Sequence, residues 1–240
     1  METLPIFIHL LFGATVLLSI FLLSRATRYS GNFLLFISLW AILQSIWSLT
    51  GFYTVTDTIP PRFLGLILPP LLLIVIAFNT QKGKNGIDQL DIKALVLVHV
   101  VRIPVELVLF WLSEYKVVPA LITFEGINLD ILSGISAPII YYLFFVKKLL
   151  PKSFFLAWNF VCLFLVLNVV IHAILSVPTA FQQFAFDQPA IAIGYFPFVL
   201  LPACVVPIVL FSHLVIIRRL LIKSKTTVSL SRTKISTSRT

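Results

Sequence analysis

Residues 4–23 read LPIFIHLLFGATVLLSIFLL, a run of twenty positions without one charged side chain. As a helix such a run is about 30 Å long, the thickness of a bilayer's hydrocarbon core. It is therefore read as a transmembrane helix. The positive flank of a secretory signal is missing from its start, and the first basic residues, Arg25 and Arg28, follow the apolar run instead. This predicts a helix retained in the mature protein.

The rest of the chain repeats the pattern. Of its 240 residues 59% are hydrophobic and only 11% charged, against about 25% charged in an ordinary soluble domain. Apolar runs predict seven spans: Leu4 to Leu23, Phe33 to Val55, Ile59 to Phe78, Ile92 to Leu112, Ile131 to Val146, Phe154 to Val177 and Ala190 to Ile217. These fill a single transmembrane domain over 1–217 and exclude a separate soluble domain. The fifth run is the shortest of them, and a re-entrant fifth run gives a count of six. Asn32, Ser153 and the Asp187/Pro189 pair stand where helix caps would precede the second, sixth and seventh spans. Residues 218–240 form a basic tail rich in Ser and Thr, without an apolar face, and predict disorder.

The formal net charge is +9, but its placement argues for lipid and against nucleic acid. Seven of the 18 basic residues follow Ile217, a juxtamembrane position that suits anionic headgroups. With seven spans and the tail inside, the loops on the tail side collect 15 basic residues, and the opposite loops keep only Arg62 and Lys116. The positive-inside rule then puts the C-terminus in the cytoplasm and the N-terminus outside, in a plasma membrane. Tyr53, Trp111, Tyr115 and Tyr195 near one face, and Tyr29 and Trp158 near the other, fit interfacial anchors.

An arrangement of three helices, a linker helix and three more resembles the seven-helix sugar transporters, in topology alone. The Pro-Gln dipeptide that marks those families is absent. Microbial rhodopsins share the count, but the last span holds no lysine for a retinal Schiff base. G-protein-coupled receptors carry an acidic-Arg-aromatic triplet where this chain has Asn79, Thr80 and Gln81.

Ionisable residues inside a span are costly and so raise the question of function first. His99, Arg102 and Glu106, at spacings of three and four, share one face of the fourth span, with Pro104 between them. Arg102 lies about 15 Å from the start of that span and Glu106 about 21 Å. Asn168 and His172 share a face of the sixth span at about 21 and 27 Å. Glu125 and Asp130 stand before the fifth. An outward-facing pocket lined by Glu106, Glu125, Asp130, Asn168 and His172 is expected, with Arg102 holding an anion or counter-ion. Against this stand three simpler readings: a structural Arg102–Glu106 pair, Asp130 as a helix N-cap, and Glu125 as a solvated loop residue.

Other chemistries have less support. There is no HExxH, HxxxH or CxxC to give a metal two ligands from one turn. Alkaline ceramidases use a close histidine pair on their last helix, where this chain has His213 alone. Haem ligation would need histidines at matched depth on different helices, which pairs His9 with His172 and His99 with His213. Cys162 and Cys204 lie in apolar runs and read as buried hydrophobes. Pro197, Pro202 and Pro207 predict kinks in the last span, while Gln44, Ser45 and Ser48 predict interhelical hydrogen bonds in the second. The leading expectation is a non-enzymatic membrane protein that binds a small ligand or ion, as a sensor or transporter. The alternatives are a haem or zinc enzyme and a scaffold subunit of a membrane complex.

Overall fold

The computed structural model describes residues 4–237, and the side chains of residues 4–222. It is an all-α bundle. Helix α1 spans Ile6–Ala26, α2 Gly31–Leu49, α3 Leu64–Asn79, α4 Gln81–Gln89, α5 Ile92–Glu114, α6 Ile131–Val146, α7 Lys152–Leu175 and α8 Leu201–Ile222. Of the tail expected to be disordered, residues 218–222 belong to α8 and the backbone beyond them stays helical to Thr237, while residues 238–240 lie outside the described residues.

The seven-span reading is overturned. Among the described residues five helices are long and apolar enough to cross a membrane, namely α1, α2, α5, α7 and α8. A sixth counts only if α3 and α4, bent by 93° at Thr80, form one broken span. The fifth expected span, α6, has 16 residues, or about 24 Å of helix, short of the roughly 30 Å required. Five crossings leave the termini on opposite sides and six bring them to the same side, so the N-outside, C-cytoplasmic orientation no longer follows from the count. Hydropathy could not see these limits because they are set by backbone breaks. Pro60 and Pro61 hold the chain out of helix until Leu64. At the far end Thr80 leaves the helix and caps α4, its Oγ1 accepting from the Gly83 amide at 3.2 Å. A Cβ on Gly83 would stand 2.3 Å from the Ala77 carbonyl oxygen, so only glycine permits that bend.

Burial separates a centre from a periphery. In α5 and α8, 61% of the apolar window is buried, against 22–39% in α1, α2 and α7. Helices α1 and α6 pack on α5; α2, α3 and α7 pack on α8. The outer faces carry exposed Leu10, Leu17, Leu72 and Phe164, as a lipid-facing surface requires. The protein is a multi-pass integral membrane protein.

Prolines shape both central helices. Pro104 supplies no N–H, and the turn before it, His99–Val101, tightens to 3-10. The last helix starts at Leu201 rather than Ala190, as a π turn over Leu201–Val205. Pro207 leaves the Ala203 carbonyl without its usual donor, and Trp40 Nε1 of α2 donates to it at 2.9 Å. A freed backbone group in a span is thus satisfied by a neighbour. Of the polar residues in α2, Ser48 donates to the Gly194 carbonyl at 2.9 Å, and Gln44 accepts from the Tyr53 hydroxyl. Ser45 bonds only its own helix. Burial pushes the Tyr53 phenol up to about 12, so it remains a donor at physiological pH. The expected caps are displaced as well: Ser30 and Pro151 occupy those positions for α2 and α7, and Trp158 donates inward to Ser136 at 2.9 Å.

Close approach of α6 to α5 builds the interior. A Cβ on Gly134 would lie 2.9 Å from Ile103 Cγ1, 3.1 Å from the Ile103 amide nitrogen and 3.3 Å from Arg102 Cβ. Backbone on one side leaves little room to yield. Gly134→Ala is therefore expected to lower stability by about 1–3 kcal/mol, measured by unfolding in mixed micelles. A change within 0.5 kcal/mol, on the order of surface substitutions, would show that the helices have slack.

A buried polar cluster at the centre of the bundle

The tightened turn of α5 aims His99, Arg102 and Glu106 inward, and each is at most 2% exposed. Arg102 is the hub. Its Nη1 pairs with Asp130 Oδ1 at 2.8 Å and donates to the Cys162 carbonyl of α7 at 3.3 Å. Its Nη2 donates to His213 Nε2 of α8 at 2.9 Å. Three neighbouring segments thus converge on one guanidinium, whose planar fork can serve several acceptors at once.

This geometry fixes the histidine's proton. An arginine offers no acceptor, so His213 Nε2 must accept, and the ring proton sits on Nδ1. That nitrogen faces Asn159 Oδ1 at 3.1 Å, and Asn159 Nδ2 in turn donates to the Phe155 carbonyl at 2.9 Å. The network is directional from α5 through α8 to α7. His99 stacks on His213 with ring centroids 3.8 Å apart and planes 15° apart. Both His99 nitrogens lack a partner among the described residues.

Glu106 takes a separate route. Its Oε1 accepts from Asn128 Nδ2 at 2.7 Å, and the same amide nitrogen donates to the Ile122 carbonyl at 2.9 Å. Asn128 Oδ1 accepts from the Asp130 amide at 2.9 Å. The loop before α6 is thereby clamped to α5. Glu106 Oε2 is buried without a partner among the described residues. A cavity of about 70 Å³ is lined by Arg102, Glu106 and Asp130 on one side and by aliphatic residues such as Val166, Val170 and Val209 elsewhere.

The expected pocket is only partly formed. Arg102, Glu106 and Asp130 meet, and His99 stands beside them. Glu125 is exposed in its loop, as the solvation reading has it. Asn168 reaches only the Ile127 carbonyl at 3.4 Å, and His172 bonds the Asn168 carbonyl at 2.8 Å and packs on Phe184; neither lines the cavity. The carboxylate paired with Arg102 is Asp130 and not Glu106. Asp130 makes no cap bond to the backbone of α6; its Oδ1 accepts from Arg102 and, at 3.4 Å, from the Ser133 hydroxyl.

Among the described residues no three His, Cys, Asp or Glu side chains gather as a metal site. The face-to-face contact of His99 with His213 leaves no space for a porphyrin between them, so the depth match has a different cause. Both cysteines are free and buried, and Cys162 contributes through its carbonyl. Comparison with known proteins returns no match, whether to family models, curated sequences or solved structures.

Proposed function

We propose that this chain is a non-enzymatic protein of the plasma membrane that binds a small ligand in the cavity at Arg102, Glu106 and Asp130, as a sensor or a transporter. One observation carries the reading. Glu106 lines a cavity, yet its Oε2 is buried and unpartnered. A buried acceptor left unsatisfied costs about 1–3 kcal/mol, more when charged. A ligand that donates a hydrogen bond there recovers that loss and gains selectivity for donors.

Charge supports the same reading. With its acidic groups ionised the cluster sets one cation, Arg102, against two carboxylates. A buried excess charge is unfavourable unless compensated. A proton on Glu106 or a cationic group in the cavity supplies the compensation. The aliphatic remainder of the wall suits the apolar body of such a ligand. The basic residues from Arg218 onward suit an anionic leaflet, which favours the plasma membrane.

The test is thermal unfolding of the purified protein in nanodiscs against small amines, alcohols and carboxylates. A true ligand at 100 times its Kd adds about 2.7 kcal/mol, or roughly 5–10 °C at this size. Glu106→Gln is expected to abolish the shift. No shift from any class, or an equal shift in the variant, would sink the reading.

A further inference from the structure

Helix α3 is held loosely. Leu66 is its one buried residue, and an apolar fissure flanks it on each side. The fissure toward α2 measures about 300 Å³ and that toward α7 about 160 Å³. Only the second leads inward. Five of its lining residues, Val170, Ala173, Ile193, Leu201 and Val206, also line the cavity at Glu106. At its outer lip Leu167 is 40% exposed, beside the lipid-facing Phe164 and Ile171. These shared side chains form one apolar wall between the fissure on the bilayer side of α7 and the cavity at a buried carboxylate.

We propose that the ligand is a single-chain primary alkylamine taken laterally from the bilayer, its ammonium at Glu106 and its chain in the α3–α7 fissure. This rests on the ligand-binding reading above. The head follows from charge and hydrogen bonding. An ammonium brings donors to Glu106 Oε2 and cancels the second carboxylate, whereas a fatty acid would add a third negative charge. It follows also from size. About 70 Å³, under half of an engineered apolar cavity of about 150 Å³ that accepts benzene, admits an ammonium but not a phospholipid headgroup. The fissure is close to the size of that engineered cavity, room for about six carbons of one chain, with the remainder of the chain staying in lipid. Because that chain leaves lipid for an equally apolar groove, it sets the route more than the affinity.

The test uses the full chain in nanodiscs with two probes: dodecylamine carrying a mid-chain diazirine, and butylamine. The photoprobe is expected to label Ile67, Leu71 and Leu167 above the other lipid-facing residues, and Glu106→Gln to reduce that labelling at least tenfold, as the loss of a charged hydrogen bond implies. Leu167→Trp, at the lip, is expected to cut the labelling similarly while changing the butylamine thermal shift less than twofold. Leu71→Trp from the opposite wall repeats the measurement should the first variant fail to elute as a single species. A diazirine dodecanoate that labels the fissure as strongly as the amine, or labelling indifferent to Glu106→Gln, overturns the proposal. In that event a surviving butylamine shift leaves the ligand site standing, and its absence removes both.

Discussion

Asp130→Ala is expected to destabilise the bundle by about 3–5 kcal/mol, the range for stripping one partner from a buried ion pair. Arg102, 2% exposed, would lose its directly paired carboxylate, since Glu106 is bonded to Asn128 instead. The double variant Arg102→Met with Asp130→Leu is expected to recover most of the loss, since well-packed apolar replacements of buried pairs are often neutral. Recovery stays incomplete because Arg102 also serves His213 and the Cys162 carbonyl. Unfolding of the four species in mixed micelles closes the cycle. If Asp130→Ala alone lies within 0.5 kcal/mol of the parent, the pair does not organise the interior.

His213→Phe is expected to lower stability by about 2–6 kcal/mol, because two buried groups lose their partner at about 1–3 kcal/mol each. Those groups are Arg102 Nη2 and Asn159 Oδ1. Phenylalanine keeps a ring on which His99 can stack, so the loss reports the hydrogen bonds and not the 3.8 Å ring contact. Adding Asn159→Leu removes one stranded acceptor and is expected to return about 1 kcal/mol or more. An Asn159→Leu change that adds to the His213→Phe loss would instead show that the two act independently.

The membrane class and the central face of α5 were legible in the sequence for good reasons. Apolar runs report solvent, and the three-and-four spacing of His99, Arg102 and Glu106 reports a shared face. The number of crossings was not legible. Helix ends at Leu64 and Thr80 depend on prolines and a side-chain cap, and hydropathy smooths over both. The Asp130 partnership was hidden for a related reason: an acidic residue at a helix start is ordinarily a cap, and only the Gly134 contact brings α6 close enough for Arg102 to take it. The match in depth between His99 and His213 was visible, but depth does not distinguish ligands facing a cofactor from rings stacked on each other. Asn159, an amide set between Trp158 and Phe160 in α7, is the sequence signal for the last link.

The short helix α6 has a consequence for the lipid around it. Leu132, Ile135, Ile139, Tyr142 and Val146 form its exposed stripe, so bilayer chains must pack along a wall about 24 Å tall while α7 beside it, with 24 residues, offers about 36 Å. Hydrophobic mismatch therefore differs from one flank of the molecule to the next. Lipid next to α6 thins or tilts to match more than lipid along α7, and Asp130 stands at the start of that short wall. Membrane thickness thereby becomes a physical variable that acts on the polar centre from one side.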